Sequence, residues 1–262
     1  MILKKKSLGQ NFLKSPQVVS DIVLAAKVTE HDAVLEIGPG EGVLTAELLK
    51  TGAHVVSIEK DDRLIPELHK TFSREISLKQ LELVHADVLD VNITNLIKDK
   101  YKLVANIPYY ITGQIIRIFL ENNKQPESMT LLVQKEVAER IVARDNKESL
   151  LSLSVKIFGD PKLVRVVGRG AFSPQPNVDS AVIIIEKISK NKLAKINENL
   201  FFKTIRAGFA HKRKQLLPNL SEIYSKTDLI VIFEKLNLDS KVRAEDLTLE
   251  KWINICEGLQ NL

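Results

Sequence analysis

The chain has 262 residues, 44% of them hydrophobic and 27% charged. This composition excludes disorder as the main state and supplies a buried core for one large domain, or a large and a small one. A single cysteine, Cys256, excludes intramolecular disulfides and multi-cysteine zinc sites, and fits a reducing compartment such as the cytoplasm. The net charge of +5 is uneven: residues 1–186 carry 24 basic and 24 acidic side chains, and residues 187–262 carry 14 and 9. A basic tail on a neutral body points to a polyanionic partner, or else to a solvated basic face. No apolar run approaches the ~18 residues of a membrane span. The N-terminal MILKKKSLGQNF lacks the apolar stretch of a secretory signal.

In chain order, β-branched or leucine-rich runs alternate with helical stretches. Strands are predicted at 33–37, 54–58, 81–85, 103–105, 129–133, 163–167 and 181–185. Helices are predicted between them at 43–50, 63–72, 93–98, 111–121, 135–143 and 150–158. Several strands are apolar on both faces, as buried parallel strands are, so the pattern reads as βαβ units and a mostly parallel sheet. After Glu186 the pattern changes. Residues 187–199 are polar and lysine-rich, the composition of a linker. Beyond them Phe201, Phe202, Ile205, Phe209, Leu216 and Leu217 recur at helical spacing. So do Leu229, Ile230, Phe233 and Leu236, and then Leu249, Trp252, Ile253 and Ile255. The expected division is an α/β domain over 1–188 and a small all-helical domain over 189–262.

The first strand runs into EIGPGEG, with Glu36, Gly38, Gly40 and Gly42. Glycines here let the chain turn tightly and let a ligand approach the backbone. The next strand ends at Glu59, where a carboxylate reaches a ribose diol. Val43 stands where a dinucleotide fingerprint needs its third glycine, so that motif fails. Glu36 would repel a phosphate but suits a cationic ligand. S-adenosylmethionine, with its sulfonium, α-amino group and adenosine, is the ligand this pattern fits; a purely structural glycine turn is the plain alternative. The third strand ends at Asp87, placed to accept a hydrogen bond from the adenine amino group. Alone it reads as a helix cap.

The fourth strand runs into Asn106-Ile107-Pro108-Tyr109. In an open α/β sheet, ligands sit at the carboxyl ends of strands, which puts this tetrad beside the cofactor. The exocyclic amine of adenine is a poor nucleophile because its lone pair is delocalised into the ring. Two acceptors facing its N–H groups, the Asn106 side-chain oxygen and the Ile107 carbonyl, would localise the lone pair and aim it. Pro108 disfavours helical backbone at Ile107 and helps turn that carbonyl outward. Tyr109 offers a face for stacking, worth about 1–3 kcal/mol per base. The chemistry would be positioning and electrostatics without a covalent intermediate. Asn-x-Pro also occurs in simple strand-ending turns.

Together with LGQNFL, ADVLD, VQKEVAERI, FSPQPNVDSAV and FFKTIRAGFAHKRKQL, these segments closely resemble the ribosomal RNA adenine dimethyltransferase family, in the family's order along nearly the whole chain. The resemblance implies a Rossmann-like methyltransferase domain with a seven-stranded, mostly parallel sheet whose last strand is antiparallel. It implies that Asn11 and Leu13 clasp the cofactor, assisted by Gln10, and that Gly38, Gly40, Glu59, Asp87 and Asn106 contact it. Tyr109 and Phe172 match the aromatic pair that holds the target adenine; without the family, Phe172 reads as core. The implied reaction places two methyl groups on N6 of each of two adjacent adenosines, in a hairpin near the 3′ end of 16S rRNA. The resemblance further implies an immature small subunit as the substrate and a cytoplasmic enzyme, with a monomer the default for this fold family. Loop bases unstack more cheaply than duplex ones. Arg206, His211, Lys212, Arg213 and Lys214 would contact rRNA phosphates, with Lys4, Lys5 and Lys6 as possible additions.

Two positions depart from the small-subunit branch, which often has Leu where Ile107 stands and Asn where Tyr110 stands. Ile at the first of these also occurs in the resistance branch that methylates large-subunit rRNA. FSPQPNVDSAV and RAEDLTLEKW favour the small-subunit branch. A DNA adenine methylase would more usually show Asp-Pro-Pro-Tyr. An assembly or transcription factor keeping the fold without catalysis is opposed by the intact motifs. The five histidines show no paired ligand spacing, so no metal is expected. Cys256 and Trp252 read as core, and Ser180 shows no partner that would make it a nucleophile.

Overall fold

The structure, a computed structural model, describes residues 11–98 and 100–261. Lys4, Lys5, Lys6 and Gln10, named above, lie outside them. The described residues up to Ala138, with Asp160–Ile188, form one compact unit; Glu139–Gly159, with the residues from Ser189 on, form a second.

The first unit opens with β1 (Phe12–Leu13) and α1 (Pro16–Ala26). Pro16 suits the first turn of α1, where its missing N–H has no helical partner to lose. There follow β2 (Ala33–Ile37), α2 (Val43–Leu49), β3 (His54–Glu59), α3 (Ile65–Thr71), α4 (Ser73–Ser77) and β4 (Leu81–His85). Next come α5 (Ile93–Leu96), β5 (Tyr101–Asn106), α6 (Thr112–Glu121), β6 (Ser128–Gln134) and α7 (Lys135–Val142), a helix that starts in this unit and runs on, from Glu139, into the second. β7 (Asp160–Val167), β8 (Phe172–Ser173) and β9 (Ser180–Glu186) close the unit. Seven strands form one sheet in the order β4-β3-β2-β5-β6-β9-β7. β2 to β6 pair in parallel, and β9 runs antiparallel between β6 and β7. This is the expected α/β architecture, last strand included.

The central strands are buried on both faces: Met129, Leu131, Leu132 and Val133 of β6 and Leu103, Val104 and Ala105 of β5 are all 0% exposed. Such strands exist only where both faces are covered. From β2 the chain moves outward through β3 and β4, then returns to the other side of β2 as β5. That reversal opens a crevice at the carboxyl ends of β2 and β5, the place where open α/β sheets bind ligands. β1 and β8 pair antiparallel as a small separate ribbon, with Leu13 opposite Phe172. Neither they nor α1 stood among the predicted elements.

The second unit is helical: α8 (Leu150–Lys156), α9 (Glu198–Gly208), α10 (Leu216–Leu220), α11 (Lys226–Lys235) and α12 (Leu249–Gln260). Phe201, Ile205, Leu216, Leu229, Trp252, Ile255 and Cys256 are 0% exposed and make its core. Burial pushes the Cys256 thiol up to about 12. The single cut after residue 188 is corrected in one segment, Glu139–Gly159, which groups with the C-terminal helices. Its Leu153, Val155, Ile157 and Phe158 are apolar and buried, and Phe158 stacks on Phe202 at 6.1 Å between ring centroids. Residues 187–199 are less of a linker than their composition implies, because Leu193 and Ile196 are buried around a short 3₁₀ turn. By this division the first unit carries as many basic as acidic residues, and the second seventeen basic against twelve acidic.

Candidate active site

A single crevice gathers Asn11, Leu13, Gly38, Gly40, Glu59, Asp87, Asn106, Ile107, Pro108 and Tyr109 along its wall. The glycine turn shapes its floor. Gly38, Gly40 and Gly42 have φ of 67°, 59° and 80°, a region closed to most side chains. The Gly38 N–H donates to the Ile58 carbonyl at 2.9 Å, fastening the end of β2 to β3. A Cβ on Gly38 would meet no heavy atom within 4 Å, so this glycine borders open crevice space; one on Gly42 would lie 2.5 Å from the Phe72 ring.

The Glu59 carboxylate ends β3 with both oxygens engaged by backbone donors, Gly40 N–H at 3.2 Å and Asp61 N–H at 2.8 Å. Burial raises its pKa, and those donors oppose the rise. The carboxylate is thus held facing the crevice, with lone pairs to spare for a diol. Asp87 accepts from the Leu89 N–H at 3.1 Å and from the Lys60 ammonium at 2.5 Å. Lys60 holds Asp87 below its ordinary pKa. Lys60 itself lines the crevice and was not singled out from the sequence, nor was Phe12, whose ring lies where a Cβ on Gly40 would be, 2.9 Å away. The place of Phe12 between two motif residues, Asn11 and Leu13, is the only signal that could have marked it.

Asn106 ends β5, and its side-chain amide donates to the Asn11 carbonyl at 3.2 Å. That bond turns Asn106 Oδ1 to the acceptor side, and no described residue donates to it. Ile107 is 1% exposed and its N–H donates to Leu132 at 3.3 Å, while its carbonyl accepts from no described residue. Two neighbouring residues of the crevice wall thus each carry an acceptor that is unengaged among the described residues. Pro108, with φ −55° and ψ 129°, leads into a 3₁₀ turn, Tyr109–Ile111. Tyr109 is half-buried, and its hydroxyl lies 2.6 Å from Ser180 Oγ. Burial raises its phenol pKa.

Two sequence readings need correction. Glu36 does not line the crevice: it is 1% exposed, and Oε2 accepts from Thr45 Oγ1 at 2.7 Å and Ser57 Oγ at 2.6 Å. It faces the opposite way along β2 from its neighbour Ile37, as strand alternation requires, and burial lifts its pKa to about 7. Phe172 is also absent from the crevice wall. It is 5% exposed and packs in the hydrophobic cluster with Leu13, its partner in the β1–β8 ribbon, and Val167, so its ring is taken up by the core.

In the second unit, Arg206 lies near the end of α9 with its guanidinium 5.8 Å from the Phe202 ring centroid. His211, Lys212, Arg213 and Lys214 sit on the exposed loop between α9 and α10. The loop is anchored by buried Asn219, whose amide donates to the Gly208 carbonyl at 2.7 Å. Lys214 and His211 share Glu222 at 2.7 and 3.5 Å, whereas Lys212 and Arg213 have no ionic partner among the described residues. Among the described residues no group of three or more His, Cys, Asp or Glu is placed to hold a metal, and no helix is long and apolar enough to cross a membrane.

The donor set of the crevice fits S-adenosylmethionine. Glu59 suits a ribose diol, Asp87 an adenine amine, and the open space over Gly38 a chain lying along the backbone. A sequence profile described as ribosomal RNA adenine dimethylase matches residues 1–261. A ribosomal RNA small subunit methyltransferase A from Dehalococcoides mccartyi is 42% identical over 256 residues, covering 96% of this chain and 87% of the relative. The protein of that name from Clostridioides difficile is 41% identical over 94% of this chain and 88% of its own. Among solved structures, a dimethyladenosine transferase from Plasmodium falciparum superimposes with a TM-score of 0.80 at 27% identity, covering 93% of this chain and 95% of that one. The 23S rRNA methyltransferase ErmE superimposes with a TM-score of 0.78 at 25% identity, over 95% of this chain and 100% of that one. The chain belongs to the ribosomal RNA adenine dimethylase family and is an S-adenosylmethionine-dependent enzyme that dimethylates N6 of adenine in ribosomal RNA.

Proposed function

We propose that the substrate is the 16S rRNA of an immature small ribosomal subunit, and that each of two adjacent adenosines near its 3′ end receives two methyl groups. The enzyme acts as a cytoplasmic monomer without a metal. The small-subunit assignment is supported by relatives of 41–42% identity that carry the small-subunit name. It also draws on the FSPQPNVDSAV segment at 172–182.

The observation that carries the mechanism is the pair of unengaged acceptors, Asn106 Oδ1 and the Ile107 carbonyl, at one edge of the crevice. They accept the two N–H groups of the target amine and draw its lone pair out of conjugation. The bond from Asn106 to Asn11 fixes the orientation of the side-chain amide before the base arrives, which is the preorganisation that makes such contacts effective. Tyr109 stacks on the flipped base. Glu59 and Asp87 hold the ribose and adenine of S-adenosylmethionine, with Asn11, Leu13, Gly38 and Gly40 closing around it. The cofactor supplies a methyl group on a positively charged sulfur. After transfer the amine sheds its proton without help from a shifted side chain. After one methylation a single N–H remains, so one of the two acceptors is left to aim the second transfer.

Arg206, Lys212 and Arg213, with His211 and Lys214, bind rRNA phosphates through the helical unit. The deciding experiment is mass spectrometry of rRNA after incubating the enzyme with S-adenosylmethionine and immature small subunits, with large-subunit rRNA in parallel. Dimethyladenosine in the small-subunit hairpin is expected. Methylation of large-subunit rRNA alone overturns the substrate assignment, and absence of any methylation overturns catalysis.

A further inference from the structure

We infer that Ser180 is a positioning residue for methyl transfer: its hydroxyl fixes the plane of the Tyr109 ring against the target base. This rests on the reading of Tyr109 as the stacking face.

Ser180 is the first residue of β9 and is 0% exposed. Its backbone is fixed on both sides, opposite Gln134 of β6 and Val167 of β7. Because β9 runs antiparallel to β6, its first residue arrives at the edge of the sheet where the parallel strands end. The Tyr109 turn follows β5, two places away in the strand order. The 2.6 Å bond between the two hydroxyls therefore ties the catalytic turn to a strand that does not itself line the crevice. Among the described residues neither hydroxyl has a second side-chain partner. A buried hydroxyl next to Ala181 and Val182 is unfavourable unless paired, so the pair has one use available to it, with Tyr109.

The Tyr109–Ser180 bond is the one hydrogen bond the Tyr109 side chain makes among the described residues. The ring is only half-buried, and the turn that carries it is three residues long. Without Ser180 Oγ the phenol loses its anchor, and the ring samples orientations that no longer lie flat on the base. Small displacements of a positioned group cost up to ~100-fold in rate.

The test uses the full-length enzyme with immature small subunits and compares four proteins with the wild type: Ser180→Ala, Tyr109→Phe, the double variant, and Tyr109→Ala. Single-turnover methyl transfer should fall roughly 10- to 100-fold in Ser180→Ala and equally in Tyr109→Phe. The double variant should be no slower than either alone, because both remove the same bond. In Ser180→Ala and in the double variant, which leave no buried hydroxyl unpaired, S-adenosylmethionine affinity should match the wild type and the melting temperature should stay close to it, a split that a merely structural serine would not produce; Tyr109→Phe, which strands the Ser180 hydroxyl, should melt lower. A wild-type rate in Ser180→Ala, or multiplicative losses in the double variant, overturns the role of Ser180. If Ser180→Ala does not fold, a wild-type rate in Tyr109→Phe overturns it equally. A wild-type rate in Tyr109→Ala is a different failure, since it removes the stacking reading itself.

Discussion

Neutralising the two unpaired cations of the α9–α10 loop, as Lys212→Ala/Arg213→Ala, gives the sharpest test of where the helical unit meets RNA. Each phosphate neutralised by a bound cation contributes about 0.7 (single strand) to 0.9 (duplex) to the slope of log affinity against log salt. The structure limits the count. Lys214 is engaged by Glu222 at 2.7 Å and must break that pair to reach a phosphate, whereas Lys212 and Arg213 are exposed and free among the described residues. Two contacts lower the slope by about 1.4–1.8, which corresponds at ~0.1 M salt to a loss of about 25- to 60-fold. Lys214→Ala should cost less than Lys212→Ala, and Glu222→Gln, by releasing Lys214, should tighten binding about 5- to 8-fold. Fluorescence anisotropy on labelled rRNA across roughly 50–200 mM salt measures all of these. An unchanged slope in the double variant refutes the assignment of this loop to phosphate contact.

Asn106→Ala removes one of the two amine acceptors and should slow methyl transfer roughly 10²–10³-fold while the fold and melting temperature hold; near-normal turnover would contradict the mechanism. Gly38→Ala places a methyl at the crevice wall on backbone of φ 67°, with a stability cost of about 1–2 kcal/mol and weaker cofactor binding by calorimetry. Gly113→Ala, a helical glycine with nothing within 4 Å of its Cβ, is the control that should leave both intact. Glu36 has a folded-state pKa of about 7 against 4.5. Its neutral form is the one the fold favours, so stability is full below about 4.5 and falls as pH rises through about 7. The loss is on the order of 3 kcal/mol. Glu36→Gln should remove that part of the pH dependence, and parallel wild-type and variant melting profiles would show that Glu36 is not its source.

The parts of the molecule that read well from sequence are those whose physics is local. EIGPGEG and NIPY sit at strand ends and each carries its own backbone requirement, and read together they marked the crevice, whereas NIPY alone also fits a plain strand-ending turn. The central strands were found because burial on both faces leaves continuous apolar runs. The ends of β5 and β7 were not. Lys102 belongs to β5 but pairs with Asp32 at 2.9 Å, and Asp160-Pro161-Lys162 form an edge-strand segment with one polar side in solvent. Other features depend on contacts far along the chain. Ser180 reads as inert until Tyr109, 71 residues away, is brought to it. Glu36 reads as a ligand-facing acid until its two hydroxyl partners show which side of β2 it occupies. Phe172 is placed by two-residue pairing with β1, too short to leave any periodicity. The Glu139–Gly159 segment has a helical pattern that fits either unit, and only packing against Phe202 assigns it.

The position of β9 between β6 and β7 has a consequence for how the chain folds as it is made. Everything the crevice needs from the glycine turn through Tyr109 has been synthesised by residue 109, yet the strand that joins β6 to β7 arrives only with residues 180–186. Until then β6 presents an unpaired edge, and the residues that emerge in between include Glu139–Gly159, whose apolar side chains await helices still later in the sequence. The nascent enzyme thus carries two unfinished surfaces at once. The first is closed once β9 has been made, but the second stays open in a protein trimmed at residue 188, since such a fragment would strand Leu153, Val155, Ile157 and Phe158 without their cover.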